Sequence, residues 1–329
     1  MNAEPAPAAP RAPLAATYVL PLRSPEDVSA GLTGYLRWLA SKVDLVVVDG
    51  SIPQVFAAHG RAWRGVGLRH VAPHADIDVL NGKVAGVLTG LRLACFDRVV
   101  VADDDVRYHD VSLERVVTLL DTWDIVRPQN YFEPCPWHAR WDTARSLLNR
   151  VGGGDYPGTL AVRACAVPDG YDGNVLFENL ELIRTVRARG GRMTTPLDCY
   201  VRRLPPTVRR FCSQRVRQAY DDFAQPPRLA AELLIVPAVV ASGIRRRWLG
   251  LAAFAGTAAG LAESGRRVGG GAAVFPPSAS VLAPLWLLER GVCSWLAVAC
   301  RLGRGGCAYG GTVIRRAATP SRRLAERSP

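Results

Sequence analysis

From position 17 onward, short unbroken apolar runs alternate with longer stretches in which apolar residues recur every three or four positions. The runs 18–22 (YVLPL), 44–49 (DLVVVD) and 98–102 (RVVVA) have continuous apolar centres, as strands of a parallel sheet buried on both faces require. Residues 25–41 (PEDVSAGLTGYLRWLAS) have helical spacing, with Pro25, Glu26 and Asp27 placed where a helix N-terminus favours them. A second helix is predicted over 81–96 (NGKVAGVLTGLRLACF). This alternation predicts an α/β fold with helices on both faces of a mainly parallel sheet. Ligands of such sheets bind at the carboxyl ends of strands. Two of the runs end there in acid: Asp49, and Asp103-Asp104-Asp105.

Composition changes the picture at both ends. Of 329 residues, 49% are hydrophobic, so a packed core is within reach and wholesale disorder is excluded. Residues 1–16, rich in Ala and Pro, read as a disordered leader with no secretory apolar run. The net charge of +12 is uneven: 13 of the 41 Lys and Arg, but only 4 of the 29 acids, lie after position 228, and no Asp or His does. A near-neutral head, 17–228, is thus followed by an apolar, Arg-studded region, 229–304, and a basic tail, 305–329. That asymmetry excludes a nucleic-acid binder, whose basic residues would line one folded face. Eight Cys without a C-x-x-C pair indicate neither a zinc site nor a disulfide framework. Five His without metal-ligand spacing read as surface or structural residues.

The sharpest local signal is VVVADDDV at 99–106. Oxygen ligands at i and i+2 on an extended segment point the same way, so Asp103 and Asp105 can share a Mg²⁺ or Mn²⁺. Three consecutive Asp also leave room for the register to slide by one, which would bring Asp104 in as a ligand. The simpler alternative is an acidic loop leading into a helix capped by Asp110 or Ser112.

The order YVLPLRSPED, VVVDGS, NGKVAGVLTGLRLA, VVVADDDV, GGDYPGTLAVR, GYDGNVLFENLELIRTVRARGGR, QRVRQ over about residues 17–220 resembles the motif series of family 2 glycosyltransferases with the GT-A fold. The resemblance implies that Pro21, Arg23 and Asp49 meet the nucleotide and that Lys83 lies beside it. It implies that Asp103 and Asp105 form the metal-binding D-x-D pair, with Asp103 also towards the donor, and that Gly158 lets the backbone approach the donor sugar. In Phe177-Glu178-Asn179, the family's usual general-base Asp is replaced by Asn179, which cannot accept a proton. Glu178 is the implied base, with Asp172 and Glu181 as alternatives. Residues 214–218 (QRVRQ) resemble the Q-x-x-R-W motif of the membrane-associated branch, placing Gln214 and Arg217 at the donor diphosphate, with Gln218 in place of the Trp.

The apolar runs 229–243, 248–262 and 292–300 each fall short of the roughly 20 residues a straight span needs. Interfacial helices with Arg at the headgroups, a re-entrant hairpin and soluble helices packed on the head all fit the pattern. Residues 277–290 followed by GGCAYGG at 305–311 resemble the C-terminal layout of ceramide glucosyltransferase-like enzymes. The aromatics of 123–141 lie where such a fold would meet its acceptor, although core packing is their commoner use. The expectation is an inverting, Mn²⁺- or Mg²⁺-dependent transferase at the cytoplasmic face of a membrane, moving sugar from a nucleotide-diphosphate sugar, a UDP-sugar, to a lipid or lipid-linked acceptor. The alternative is a catalytically impaired binding protein derived from such an enzyme.

Overall fold

The structure, a computed structural model, describes residues 13–25 and 29–326. Most of the expected leader, and the acids Glu26 and Asp27, lie outside these residues. The leader's end is not loose: Ala16 is fully buried and Leu14 packs on the core.

The predicted runs form β1 (Thr17–Leu22), β2 (Asp44–Asp49) and β4 (Arg98–Ala102), which pair in parallel with β1 in the centre. The short β3 (Arg69–Val71) extends the sheet beyond β2. On the other side β8 (Thr159–Arg163) runs antiparallel to β4, followed by β6 (Ile125–Val126) and β9 (Met193–Thr194). The order β3-β2-β1-β4-β8-β6-β9 is a mixed, mainly parallel sheet. A smaller sheet of β5 (Val106–Arg107), β10 (Tyr200–Arg203) and β7 (Gln129–Phe132) stands just beyond β4.

Helices α1 (Ala30–Ala40), α2 (Pro53–Ala62), α3 (Gly82–Leu93), α4 (Asp110–Leu119), α5 (Trp137–Val151) and α6 (Glu178–Ala188) cover the sheets. Helix α3 presses unusually close to β1: a Cβ at Gly90 would stand 2.2 Å from Val19 Cγ1, and one at Gly86 2.9 Å from Pro21 Cβ. Glycine at those two positions lets the helix seat its N-terminus, and therefore Lys83, beside the ends of β1 and β4. Helix α4 is capped by His109, whose ring accepts from the Ser112 N–H, not by Asp110 or Ser112.

Short helices α7 (Val208–Ser213) and α8 (Arg215–Tyr220) lead to α9 (Pro226–Ile244), α10 (Trp248–Arg267) and α11 (Pro277–Arg304). Helix α11 runs on through Glu289 and Arg290, and α10 through Arg266 and Arg267, whereas Arg245, Arg246 and Arg247 separate α9 from α10. Among the described residues, α9 and α11 are long and apolar enough to cross a membrane by length and composition, which the runs alone did not suggest. Helices α10 and α11 pack on α5 around Leu147, Ala262, Phe275 and Trp286. Arg150, 1% exposed, fastens the end of α10 by donating to Gly265 O and Val268 O together with Leu197 O, Gln129 Oε1 and Tyr200 Oη. The expected basic tail is likewise built into the head. Its hairpin β11 (Cys307–Tyr309) and β12 (Thr312–Ile314) and the segment after it pack against the head's own core, and α12 (Ser321–Ala325) ends the described chain.

Candidate active site

The acidic triplet leaves β4 where its ladder with β8 ends: Ala102 pairs with Thr159, and the Asp103 N–H donates to Gly158 O at 2.8 Å. The chain then turns, Val106 N–H to Asp103 O at 3.1 Å, into β5. Side chains converge on this turn from four elements. Lys83, in the first turn of α3, reaches Asp103 Oδ1 at 2.5 Å and Glu178 Oε1, at the start of α6, at 2.7 Å. Arg203, at the end of β10, donates from Nε to both oxygens of Asp105 at 3.0 and 2.9 Å, and its Nη2 lies 3.3 Å from Asp103 Oδ2. Gly158 closes the floor; a Cβ there would fall 2.8 Å from Asp103 Oδ2 and 3.1 Å from Arg203 Cζ. Asn130 Oδ1 accepts the Gly158 N–H at 2.7 Å and fixes that backbone.

The electrostatics follow from this packing. Burial opposes ionisation of Asp103, but Lys83 and Arg203 outweigh it and hold the carboxyl below its usual range. Asp104 has no such partner in contact, and burial followed by the like charges of Asp105 and Asp103 pushes its carboxyl up. Burial would lower Lys83, yet Asp103 and Glu178 keep its ammonium firmly protonated. Four carboxylates (Asp103, Asp104, Asp105 and Glu178) thus stand against two contacting cations, Lys83 and Arg203. Hard oxygen ligands with negative charge in excess are the donor type that Mg²⁺ and Mn²⁺ take; among the described residues, the group of three ligand atoms within 4.8 Å of one another is instead Asp49, His59 and His70.

The other expected residues divide into those near this cluster and those drawn elsewhere. Arg23 lies at the end of β1, exposed, and Pro21 beneath Gly86. Arg217, on α8, lies in the field of Glu178 and Asp221, and its Nε has no hydrogen-bond partner among the described residues. Gln214 occupies the junction of α7 and α8. Asp172 accepts from Arg316 Nη1 and the Asn174 N–H, both at 2.8 Å, and none of these bonds reaches the acidic cluster. Glu181 is fully buried and accepts the Thr319 N–H at 2.6 Å, a structural role. Glu178 is the one base candidate of the three in contact with the cluster.

Asp49 differs from expectation. Its side chain is closed off completely, Oδ2 against His59 Nδ1 at 2.6 Å and His70 Nε2 at 3.0 Å, Oδ1 accepting the Ser51 N–H at 2.9 Å. Burial raises its pKa, but hydrogen bonds from His70, Ser51 and His59 hold it far below the usual carboxylate range. No face of this carboxylate is left for a nucleobase. The three ligand atoms lie within 4.8 Å of one another, a donor set that could hold a transition metal. Here hydrogen bonds already satisfy the carboxylate, and the rings stack on Trp63 and Phe56. Histidines eleven apart carry no ligand spacing in sequence; β3 pairing with β2 brings His70 to Asp49.

Four participants escaped sequence reasoning. Arg203 and Asn130 come from the small sheet, whose register alone sets them against the triplet. Asp221 follows α8; burial first, then Glu178 and Asp222, against Arg217 and Arg290, push its carboxyl up to about 7. Tyr309 arrives from the C-terminal hairpin, within GGCAYGG, and the Arg217 guanidinium lies 5.0 Å from its ring centre.

No family model matches the chain, and no curated protein matches it in sequence. In structure it is similar to a mannosyltransferase from Pyrobaculum calidifontis solved with GDP-Man and Mn²⁺, at 20% identity and TM-score 0.54, covering 87% of this chain and 88% of that one. It also overlaps S. aureus TarS solved with UDP-GlcNAc, at 15% identity and TM-score 0.41 over 61% of each chain. A mannosyl-3-phosphoglycerate synthase from Rubrobacter xylanophilus overlaps at 16% identity and TM-score 0.42, over 61% of this chain and 70% of that one. The architecture is the GT-A fold, with two apolar helices in its C-terminal half.

Proposed function

We propose that this chain is a metal-dependent glycosyltransferase that moves a sugar from a nucleotide-diphosphate sugar, with inversion, to a lipid or lipid-linked acceptor. The observation that carries this reading is the cluster at the end of β4, where Asp103, Asp104 and Asp105 meet Lys83, Glu178 and Arg203 with negative charge in excess. Asp103 and Asp105 would hold a divalent cation there, which when bound would supply positive charge to a departing diphosphate. Arg217, with Nε unpaired, binds the same phosphates, for which its planar fork is suited. Glu178, fixed by Lys83, takes the proton of the acceptor hydroxyl as its oxygen bonds to the sugar carbon and the bond to phosphate breaks on the opposite face. UDP-sugars are the donors the motif series implies. GDP-mannose, the donor in the P. calidifontis structure, is the alternative.

The acceptor reading rests on two features. A pocket of about 170 Å³ between α5, α7–α8 and α11 is lined by Trp137, Trp141, Phe211, Arg215 and Glu289. Arg215 pairs with Asp142 at 2.6 Å, and the charge of Asp142 is felt at Arg203, which links the pocket electrostatically to the acidic cluster. Along α11, exposed Val281, Leu285, Val292 and Leu296 share a helical stripe with Glu289 and lead an apolar chain to the pocket. At the α9–α10 corner, Ile244, Arg245, Arg246, Arg247, Trp248 and Leu249 are all exposed, and Leu249 is 89% accessible. Apolar tips beside three Arg suit an anionic bilayer surface and favour the interfacial reading, at the cytoplasmic face.

The test is thermal stability of the detergent-purified protein with UDP- and GDP-sugars, with and without Mn²⁺, alongside flotation on anionic and neutral vesicles. A Mn²⁺-dependent rise with one donor and flotation on anionic vesicles are expected. No rise with any donor would leave the impaired binding-protein alternative without a donor as well and overturn the transferase reading.

A further inference from the structure

We infer that the C-terminal hairpin is part of the donor site, with Tyr309 a binding residue that encloses the diphosphate of a nucleotide-diphosphate sugar together with Arg217 and Arg23. This inference rests on the transferase reading and names a component of its site.

The hairpin is sharply defined. Tyr309 pairs with Thr312 and Cys307 with Ile314, so only Gly310 and Gly311 form the turn. Their φ values of +58° and +93° are those of a tight two-residue hairpin turn, which glycine adopts without strain. The tip comes to Arg23: a Cβ on Gly310 would stand 3.5 Å from Arg23 Nη1. One residue earlier, the Tyr309 ring lies under the Arg217 guanidinium, 5.0 Å to the ring centre, a cation–π contact that orients the guanidinium. The strap therefore runs from the end of β1 across to α8, the two edges that flank the acidic turn.

The chain immediately beyond the hairpin is stitched to the catalytic elements. Tyr220 Oη donates to Arg315 O at 2.7 Å, just before Asp221. Val175 bridges Arg316, and the Leu176 and Phe177 N–H groups donate to Arg316 O and Ala317 O at 3.0 and 2.8 Å. Those are the residues that lead directly into Glu178. Arg316 holds Asp172, and the Thr319 N–H is held by Glu181. A strand this closely joined to the backbone before Glu178 has a fixed position over the site. One observation then points to an anionic ligand beneath it: the Arg217 Nε is buried and has no hydrogen-bond partner among the described residues. The Tyr309 phenol stands near enough to Glu178, Arg217, Lys83 and Asp103 to feel the charge of each. A diphosphate between Arg217 and Arg23 would accept from both guanidinium groups, the unpartnered Arg217 Nε included, and the phenol would donate to a phosphate or sugar oxygen.

The experiment uses the full chain. Tyr309→Ala should raise the donor KM at least about 10-fold while leaving the acceptor KM unchanged, and Tyr309→Phe, which keeps the ring over Arg217, should lie between it and the wild type. A folded Tyr309→Ala protein with the wild-type donor KM overturns the inference. Hydrogen exchange on the unaltered protein guards against a variant that fails to fold. Mn²⁺ with UDP or GDP should slow the amides of 307–314 several-fold along with those around Lys83 and Gly158. Protection around Lys83 and Gly158 with none at 307–314 overturns the hairpin's role alone. Protection nowhere overturns the transferase reading on which it rests.

Discussion

Arg203 and Asp105 form a forked pair, the guanidinium Nε donating to both carboxylate oxygens while Nη2 reaches on to Asp103. The pair lies between two strands that are adjacent only in space. Leu204 N–H donates to Asp105 O at 2.8 Å, so β10 and the acidic turn are held in register by their backbones before the side chains meet. Arg203 therefore offsets the repulsion among three successive Asp when no divalent cation does so.

Arg203→Ala should therefore lower the melting temperature of the metal-free protein by several degrees, because it leaves partly buried carboxylates with one cation fewer. Mn²⁺ should restore more of that loss than it adds to the wild type, by mass action on a more negative site. Melting curves with and without Mn²⁺ decide it; equal metal responses in the two proteins would show that Arg203 does not share the metal's site.

Asp105→Asn should reduce turnover at least about 100-fold and remove the Mn²⁺-dependent part of donor binding, with the far-ultraviolet circular dichroism unchanged. Loss of activity in Asp104→Asn, with retention in Asp105→Asn, would move the ligand register by one residue.

Asn179 is not an idle replacement for a carboxylate. Its Nδ2 donates to Pro157 O at 2.9 Å and ties α6 to the backbone that precedes Gly158. Aspartate cannot donate there and would set its charge against a carbonyl, a loss of about 1–3 kcal/mol. Asn179→Asp should melt lower and gain no activity. A large gain in rate would show instead that this position is the base and that Glu178 is not.

Asp221 predicts a pH dependence. Its ordinary carboxyl pKa is near 3.9 in an unfolded chain, whereas burial, with Glu178 and Asp222, pushes it up to about 7 in the fold. Between those values the folded protein keeps a proton that the unfolded chain has released, so this carboxyl's contribution to stability falls as pH rises and levels off above about 7. Asparagine imitates the protonated form at every pH. The melting temperature of Asp221→Asn minus that of the wild type should therefore climb between pH 4.5 and 8. A flat difference would mean that Asp221 is ionised throughout.

Sequence and tertiary structure divided the information along a physical line. The central strands were legible because a parallel sheet buried on both faces needs unbroken apolar runs, and DLVVVD and RVVVA can satisfy little else. The acidic triplet was legible because three adjacent like charges at a strand end call for a cation wherever the chain goes. Lys83 and Glu178 were named from motif order, and their meeting 95 positions apart came only from the packing of α3 and α6. Arg203, Asn130 and Tyr309 sit in segments whose local pattern is ordinary. Arg203 and Asn130 are set at the site by strand register, a long-range property that one residue of slip would invert, and Tyr309 by the docking of its hairpin on the head. Asp49 shows the converse: its position at a strand end was evident, but the closing of its carboxylate was decided by α2, which brings His59, and by β2–β3 pairing, which brings His70. The apolar C-terminal helices likewise had their composition written in the chain. Arg150, with five acceptors drawn from loops, helices and strands, fixes how the end of α10 lies against the head, because a buried guanidinium must find its partners wherever the fold brings them.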